Sequence, residues 1–283
     1  GVIIIIVGLG DVTFRRNAIF SDEFLLWSDN IEKYPNLSRP YGNLGNAYMH
    51  YQQKEKGFKY FEKALAVDNF GNIHIRAVQE NNMGKYYYME GQYDEAFVFF
   101  EKSYKVNSSY RSNIIYMAKI HILKGENDLA HQLITSSINK ASDHIDLLEI
   151  LSLIHIKKKD YQKAEADAQK VLKKDLSRSF PLSVLAETSR IKGKLRSSIA
   201  LWQLYQSTSP QDAYGNLALI NLYNQTNDQE KLKKEIDKLY YLKGNVSISS
   251  YLKRLAQKKN LAVYIPEIDE IKMILNKNLA QIE

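Results

Sequence analysis

Small side chains recur at a fixed interval of 34 residues along much of this chain. One series consists of Gly84, Ala118, Ser152 and Ala186, and a second of Ala96, Ala130, Ala164 and Ser198. A regular period of this length is the signature of stacked repeats that are each made of two antiparallel helices. The chain is therefore predicted to be an all-α solenoid of stacked antiparallel helix pairs, in which each repeat contacts only its neighbours.

Six repeats, covering residues 38–246, align on these small residues, and their first residues are Ser38, Ala77, Arg111, Ile145, Ser179 and Ala213. Positions 4, 7, 8 and 11 of a repeat are three or four residues apart, so they share one face of the first helix. Positions 8 and 20 are small in most repeats, which predicts close approach of the two helices. The sixth repeat has Ile220 and Leu232 there, and we expect altered helix spacing in it.

A turn between the two helices is predicted at position 15, which is Gly91, Gly125, Gly193 or Asn227 in four of the six repeats. These residue types accept the left-handed backbone conformation that ends a helix. The second repeat is preceded by five additional residues. We expect residues 72–76 to lengthen its first helix by about one turn, with Asn72 as the N-cap.

Segments outside the six repeats are predicted to complete the array at both ends. Residues 17–37 form a half repeat, because Trp27 lies 34 residues before Phe61; Ser21 is the candidate cap of its helix. Residues 247–283 form two capping helices, the second with Ile268, Ile271, Ile274 and Leu275 on one face. A partner-binding tail is the alternative for this C-terminal segment.

Residues 1–16 form a separate segment that begins with an unbroken apolar run at residues 2–7. Such a run cannot span a bilayer alone, since spanning needs about 20 residues. The interpretations left open are the end of a membrane helix, a buried element packed on the first repeat, and an artificial start. The first predicts membrane attachment through residues 1–10, and Arg15 and Arg16 follow as charged residues often do beside a membrane segment.

Two stretches carry a specific resemblance. Tyr41-x-x-Leu44-Gly45-x-x-Tyr48, followed by Phe61 and Ala64, resembles the tetratricopeptide repeat family, and so does Met83-Gly84-x-x-Tyr87 with Ala96 and Phe100. The resemblance covers residues 38–246 and is weaker in the last two repeats. It implies a right-handed superhelix whose concave surface binds a peptide or partner protein. It implies no catalytic residue, metal or cofactor in the chain itself.

In that family, positions 2, 5, 6, 9, 12 and 13 of the first helix face the concave groove. The resemblance therefore implies the following partner-binding residues: Asn43, Asn46, Met49, Asn81, Asn82, Lys85, Tyr88 and Lys119. Their amides and ammonium groups can hydrogen-bond a peptide backbone or pair with carboxylates. Gly42 and Tyr116 stand where some family members have a lysine and an arginine that clamp a terminal carboxylate, which argues against such a clamp.

A second resemblance concerns the N-terminal junction. The run Arg16-Asn17 … Leu26-Trp27 … Tyr34-Pro35-Asn36 … Asn43-Leu44-Gly45 is similar to the point where multi-pass membrane proteins of the glycosyltransferase C type enter a C-terminal tetratricopeptide domain. It implies an extracytoplasmic repeat domain of a membrane-embedded glycosyltransferase, and a membrane-associated location. A soluble cytoplasmic location is the alternative. The membrane catalytic region is absent from this sequence, so no catalytic residue is carried over.

Composition narrows the remaining function classes. The chain has no cysteine, which excludes disulfides, thiolate metal sites and cysteine nucleophiles. No phosphate loop, nucleophile elbow or complete dinucleotide fingerprint is present, and His121 and His155 at position 11 are predicted to be packing residues. The net charge of +7 is interpreted as lysine side chains that are exposed to water and have no binding role. Binding to an anionic membrane or to nucleic acid is a lesser alternative.

The leading hypothesis is a non-catalytic protein-interaction scaffold that binds a peptide or partner on its concave surface. Two alternatives are kept. The first is the extracytoplasmic domain of a membrane glycosyltransferase, and the second is self-assembly into a fibre or lattice through the ends of the array. Nucleic-acid binding ranks last.

Overall fold

The computed structural model describes residues 22–67, 73–108, 110–138, 144–243, 248–257, 263 and 268–279. The predicted apolar segment 1–16 and the candidate caps Ser21 and Asn72 lie outside the described residues. Within them the chain forms helices and turns with no strand, as predicted for an all-α protein. The fifteen helices of these described residues are α1 Glu23–Lys33, α2 Ser38–His50, α3 Lys54–Ala66, α4 Ile73–Met89, α5 Tyr93–Val106, α6 Arg111–Leu123, α7 Asn127–Ile138, α8 Ile145–Lys157, α9 Tyr161–Lys174, α10 Phe180–Ile191, α11 Leu195–Thr208, α12 Ala213–Gln225, α13 Gln229–Lys243, α14 Ile248–Gln257 and α15 Ile268–Leu279.

The chain forms two compact units, an N-terminal unit of residues 1–117 and a C-terminal unit of residues 118–283. In the N-terminal unit, α2 packs on α3 and α4 on α5, while α1 packs on α2. In the C-terminal unit the corresponding pairs are α8 with α9, α10 with α11, and α12 with α13. First helices of successive repeats also touch directly, α2 with α4 and α8 with α10. The predicted arrangement of consecutive packed helix pairs is confirmed.

Close approach of the paired helices explains the small residues at positions 8 and 20. A Cβ atom added at Gly45 would lie 2.6 Å from ring carbons of Phe61 and 3.1 Å from the carbonyl oxygen of Gly57. One added at Gly57 would lie 2.7 Å from Met49 Sδ and 3.1 Å from the carbonyl oxygen of Gly45. Even a methyl group therefore has no room between α2 and α3.

The turn between the helices has a positive φ at position 15 in all six repeats. Gly91, Gly125 and Gly193 have φ values of 80°, 81° and 74°, and Asn227 has 55°, which confirms the predicted left-handed residues. Gln52 and Lys159 occupy the same position in the first and fourth repeats, with φ values of 61° and 60°. These two could not be predicted from the sequence, because neither residue type favours this conformation.

Helix α4 begins at Ile73, so the expected additional turn before the second repeat is present. Helix α1 is capped by Asp22, whose side chain accepts hydrogen bonds from the backbone N–H groups of Phe24 and Leu25. These local features follow from the rule that a short polar side chain satisfies the free N–H groups of a first turn.

Several first helices contain runs of consecutive buried residues, whereas the second helices bury only one stripe. All side chains of residues 79–84 in α4, 150–156 in α8 and 215–223 in α12 are buried. In α5, by contrast, only Ala96, Phe100 and Ser103 are buried. Six or more consecutive buried residues cover the whole circumference of a helix, so this part of the helix lies in the interior. The first helices thus form the inner layer of each unit and the second helices the outer layer.

The end of the C-terminal unit has a continuous apolar core. Its centre is Trp202, which is fully buried, and Ile220 and Leu232 are part of it. Leu252 from α14 and Ile271, Ile274 and Leu275 from α15 join the same core. Because α15 packs on α12, the two C-terminal helices cover the apolar face that the sixth repeat would otherwise expose to water.

Candidate functional site

Three residues of the predicted partner-binding set lie on an accessible face of α2 and α4. Asn46 is exposed, and Asn43 and Lys85 are half-buried. Asn46 and Lys85 both occupy position 9, in the first and second repeats, so they lie at equivalent places on two helices that touch. Among the described residues of the N-terminal unit, no hydrogen bond or ion pair engages these three side chains. Their polar groups therefore remain open to a ligand.

Burial lowers the pKa of Lys85 from its ordinary value. A partly buried ammonium group loses water on one side, and no carboxylate of the described chain compensates for that loss. An anionic or carbonyl group of a partner would restore the lost interactions, because lysine is a donor of three hydrogen bonds.

Asn81 and Asn82 lie inside the N-terminal unit, contrary to the expectation of a solvated face. Asn81 is fully buried, and its Nδ2 donates to Asn113 Oδ1 at 2.7 Å. Asn113 Nδ2 donates in turn to Ser103 Oγ at 2.8 Å, and Ser103 donates to the backbone carbonyl of Ala77. The chain of bonds ties α4, α5 and α6 together, because buried amides require hydrogen-bond partners.

The burial of Asn82 has a similar local cause. Its amide donates to Gln79 Oε1 at 3.4 Å, and the Gln79 side chain fills the space beside Gly42 of α2. The first two repeats therefore meet at the place where the family resemblance implies an open groove.

Two further predicted residues, Tyr88 and Met49, are held by packing. The ring of Tyr88 lies 4.9 Å from that of Tyr116 and 5.5 Å from that of Tyr93, and burial raises its pKa. Met49 packs on Gly57. The eighth predicted residue, Lys119, is half-buried and lies in the C-terminal unit. A role in partner binding stays a prediction for all eight residues.

Sequence reasoning missed a contact between positions 11 and 23 in the first, second and fourth repeats. Tyr48 stacks on Tyr60 at 5.3 Å in the first repeat, and Tyr87 stacks on Phe99 at 5.5 Å in the second. In the fourth repeat the same two positions hold a buried polar pair. The contact could have been predicted from the alignment of the repeats, because aromatic residues occupy positions 11 and 23 in both the first and the second repeat.

The buried polar pair is His155 and Asp167, with His155 Nδ1 lying 2.9 Å from Asp167 Oδ2. Burial works to raise the pKa of Asp167, but hydrogen bonds from His155 and Lys170 outweigh it and hold that pKa below its usual range. The prediction that His155 is a packing residue is consistent with this enclosed position. His121 Nδ1 lies 2.6 Å from Glu126 Oε2 at the end of α6.

A family model described as tetratricopeptide repeat matches residues 38–70, which contain α2 and α3. Helix pairs with small residues in the same register follow in the later part of the chain. A comparison with curated protein sequences finds no match.

Solved tetratricopeptide-type structures share the fold. A chain in the crystal structure of the APC/C hetero-tetramer Cut9-Hcn1 has a TM-score of 0.70 and 16% identity, with 83% of this chain and 45% of that chain covered. PilW, a type IV pilus biogenesis factor, has a TM-score of 0.61 and 14% identity, with coverages of 77% and 98%. A tetratricopeptide repeat protein from Parabacteroides merdae has a TM-score of 0.56 and 16% identity, with coverages of 88% and 97%. The chain thus spans less than half of the first of these, and identities this low show the fold alone.

Two other kinds of site concern metal binding and membrane insertion. Within the described ranges, no three His, Asp or Glu side chains converge to hold a metal ion. No helix among those residues combines the length and apolar character needed to cross a membrane. Membrane attachment through residues 1–10 and self-association stay predictions.

Proposed function

We propose that this chain is a non-catalytic scaffold that binds a peptide or partner protein through the accessible face formed by Asn43, Asn46 and Lys85. The tetratricopeptide fold supports protein–protein interaction in general. The observation that carries the finer proposal is that these three polar side chains share one face of α2 and α4 and have no partner in the described part of their unit.

Their chemistry fits an extended peptide. Each asparagine amide both donates and accepts, so it can pair with a peptide N–H or C=O group. Burial lowers the pKa of Lys85, and the opposite charge of an approaching acidic group would favour its charged form again. The buried network around Asn81 holds α4 against α5 and α6, which keeps this face in a fixed shape and reduces the ordering cost of binding.

The test is a selection of peptides from a random library on the full chain, followed by fluorescence anisotropy with a selected peptide. Asn46→Ala and Lys85→Met are expected to weaken binding by about tenfold each, as loss of a hydrogen bond to a charged or polar partner does. Lys59→Ala is the control, since Lys59 is exposed on the outer helix α3. Peptides that bind all variants equally would contradict the proposal.

The proposed location outside the cytoplasm rests on the N-terminal resemblance alone. Protease treatment of intact cells or vesicles tests it, because an extracytoplasmic repeat domain is cleaved without membrane permeabilisation. Full protection in intact cells, with cleavage after permeabilisation, would contradict it.

A further inference from the structure

The excess positive charge of the chain belongs entirely to one unit. Residues 118–283 contain 26 of the 39 Lys and Arg residues and 19 of the 32 Asp and Glu residues, so they account for the whole net charge of +7. Residues 1–117 contain equal numbers of both signs. Fields of one sign on part of a surface steer oppositely charged partners.

Much of this charge lies where the two helices of each repeat are joined. We call the turns of repeats 3, 4 and 5, residues 124–128, 157–163 and 191–196, the turn edge. Ion pairs show that its turns are neighbours. Lys158 pairs with Asp128 of the preceding repeat, and Lys192 Nζ lies 2.7 Å from both carboxylate oxygens of Glu165.

Three cations of the turn edge remain exposed after these pairs are made. They are Lys159, Lys194 and Arg196, whose side chains form no hydrogen bond or ion pair with any described residue. The pKa of nearby His131 reflects the local field. Burial lowers it first, and the charges of His155, Lys158 and Lys163 lower it further.

Lys159 combines its charge with a backbone conformation that it shares with Gln52. It has a φ of 60° at position 15, where repeats 2, 3 and 5 use glycine and Gln52 of the first repeat has 61°. A non-glycine residue is disfavoured there, so stability alone would select glycine. Residues kept in such conformations mark functional sites often enough to motivate a hypothesis of function.

The residues of the turn edge indicate which kind of anionic partner fits it, an acidic protein segment or a nucleic acid. Leu129, which follows the first turn, and Ile191, which begins the third, are exposed at 49% and 39%. The free cations alternate with acidic groups that are already paired, such as Asp160 with Lys163. Mixed apolar and charged groups are typical of protein interfaces. A phosphate backbone, in contrast, is tracked by continuous positive charge with exposed aromatic rings for base stacking.

We propose that the turn edge of repeats 3–5 is a second interaction surface, which docks an acidic segment of a partner protein. Lys159, Lys194 and Arg196 pair with its carboxylates, and Leu129 and Ile191 contact its apolar side chains. This surface lies in the C-terminal unit and does not depend on the proposed role of Asn46 and Lys85.

The experiment is fluorescence anisotropy of a labelled oligoglutamate peptide with the full chain at low ionic strength. The double variant Lys194→Glu/Arg196→Glu is expected to bind about tenfold more weakly, since each exposed charge pair is worth a modest amount. Lys233→Glu/Lys234→Glu makes the same change of net charge on exposed residues of α13 and is expected to retain affinity. Equal losses in the two double variants would overturn the proposal, and so would unchanged binding in the first.

Lys159→Gly separates binding from folding, because it relieves the backbone while removing the charge. We expect about threefold weaker binding together with a higher unfolding midpoint. Wild-type affinity in this variant would contradict the role of Lys159. Poly-uridylate RNA and phosphatidylserine vesicles are measured at the same salt concentration. If the chain binds the RNA or the vesicles more tightly than the peptide, the proposal that the partner is an acidic protein segment is wrong.

Discussion

The close contact between α2 and α3 predicts that the smallest possible enlargement, Gly45→Ala, destabilises the first repeat. The added Cβ would lie 2.6 Å from two ring carbons of Phe61 and 3.1 Å from the carbonyl oxygen of Gly57. Phe61 is 1% exposed, so its ring has no free space into which it can turn. The two helices must therefore move apart, although alanine favours the helical conformation more than glycine does.

The expected magnitude is the difference between two opposing effects. Overpacking of a filled core costs about 1–3 kcal/mol, and the higher helix propensity of alanine returns up to about 1 kcal/mol. We therefore expect Gly45→Ala to lower the free energy of unfolding by about 1–2 kcal/mol. The midpoint of thermal unfolding, followed by circular dichroism, should fall by several degrees.

Phe61→Leu provides the matched background, since a smaller side chain leaves room for the added methyl group. In that background Gly45→Ala should be neutral or stabilising, so the double-mutant cycle should show a favourable coupling of about 1 kcal/mol or more. A wild-type midpoint for Gly45→Ala, or additive effects in the cycle, would refute the reasoning that close approach selects glycine at this position.

Three further predictions concern the turn, the buried amides and the buried ion pair. Gln52→Gly should raise the free energy of unfolding by about 0.5–1 kcal/mol in urea titrations, because it relieves a positive φ; a loss of stability would contradict this. Asn81→Ala should cost about 1–3 kcal/mol in the same assay, since it leaves Asn113 Oδ1 buried without its donor, whereas Asn46→Ala should be close to neutral. Asp167 has a lowered pKa, so its contribution to stability is present above the unfolded-state pKa of about 4 and is lost as pH falls through the lower folded-state pKa. Thermal midpoints measured against pH should therefore fall less steeply in acid for Asp167→Asn than for wild type or for the exposed control Asp237→Asn, and parallel profiles would contradict the pairing.

The repeat period predicted the fold because it depends on residues whose size and backbone preferences are constrained by packing. Gly45 and Gly57 are small since two helices touch there, and Gly91 and Gly125 have a positive φ. Such constraints limit which amino-acid types can occur at these positions, so they can be recognised in the sequence. The longer first helix of the second repeat and the packing of the C-terminal helices could be anticipated for the same reason.

The candidate site could be predicted only in part. Position within a repeat identifies the face of a helix, and Asn46 and Lys85 lie on an accessible face of α2 and α4. The position within a repeat does not show how much of that face the neighbouring repeat covers. Asn81 is buried because Asn113 and Ser103 happen to offer complementary hydrogen-bonding groups, a pairing that depends on side chains distant in sequence.

Residues whose conformation or polarity is unusual for their position in the repeat could not be predicted from the sequence either. Lys159 adopts a positive φ that its side chain does not favour, and the surrounding repeat imposes that conformation. His155 and Asp167 replace an aromatic pair with a polar one. Neither Lys159 nor the pair of His155 and Asp167 changes the 34-residue pattern of small and apolar residues, so this pattern carries no information about them.

Photo-crosslinking tests the central claim, that a partner binds on the face of Asn46 and Lys85, most directly. A benzoylphenylalanine is placed at Asn46 in the full chain and, as a control, at Lys59 on the outer helix α3. With a selected peptide partner, the claim predicts a covalent adduct from position 46 that Lys85→Met suppresses, and little or none from position 59. An adduct that forms equally from position 59, or that persists undiminished in Lys85→Met, would contradict it.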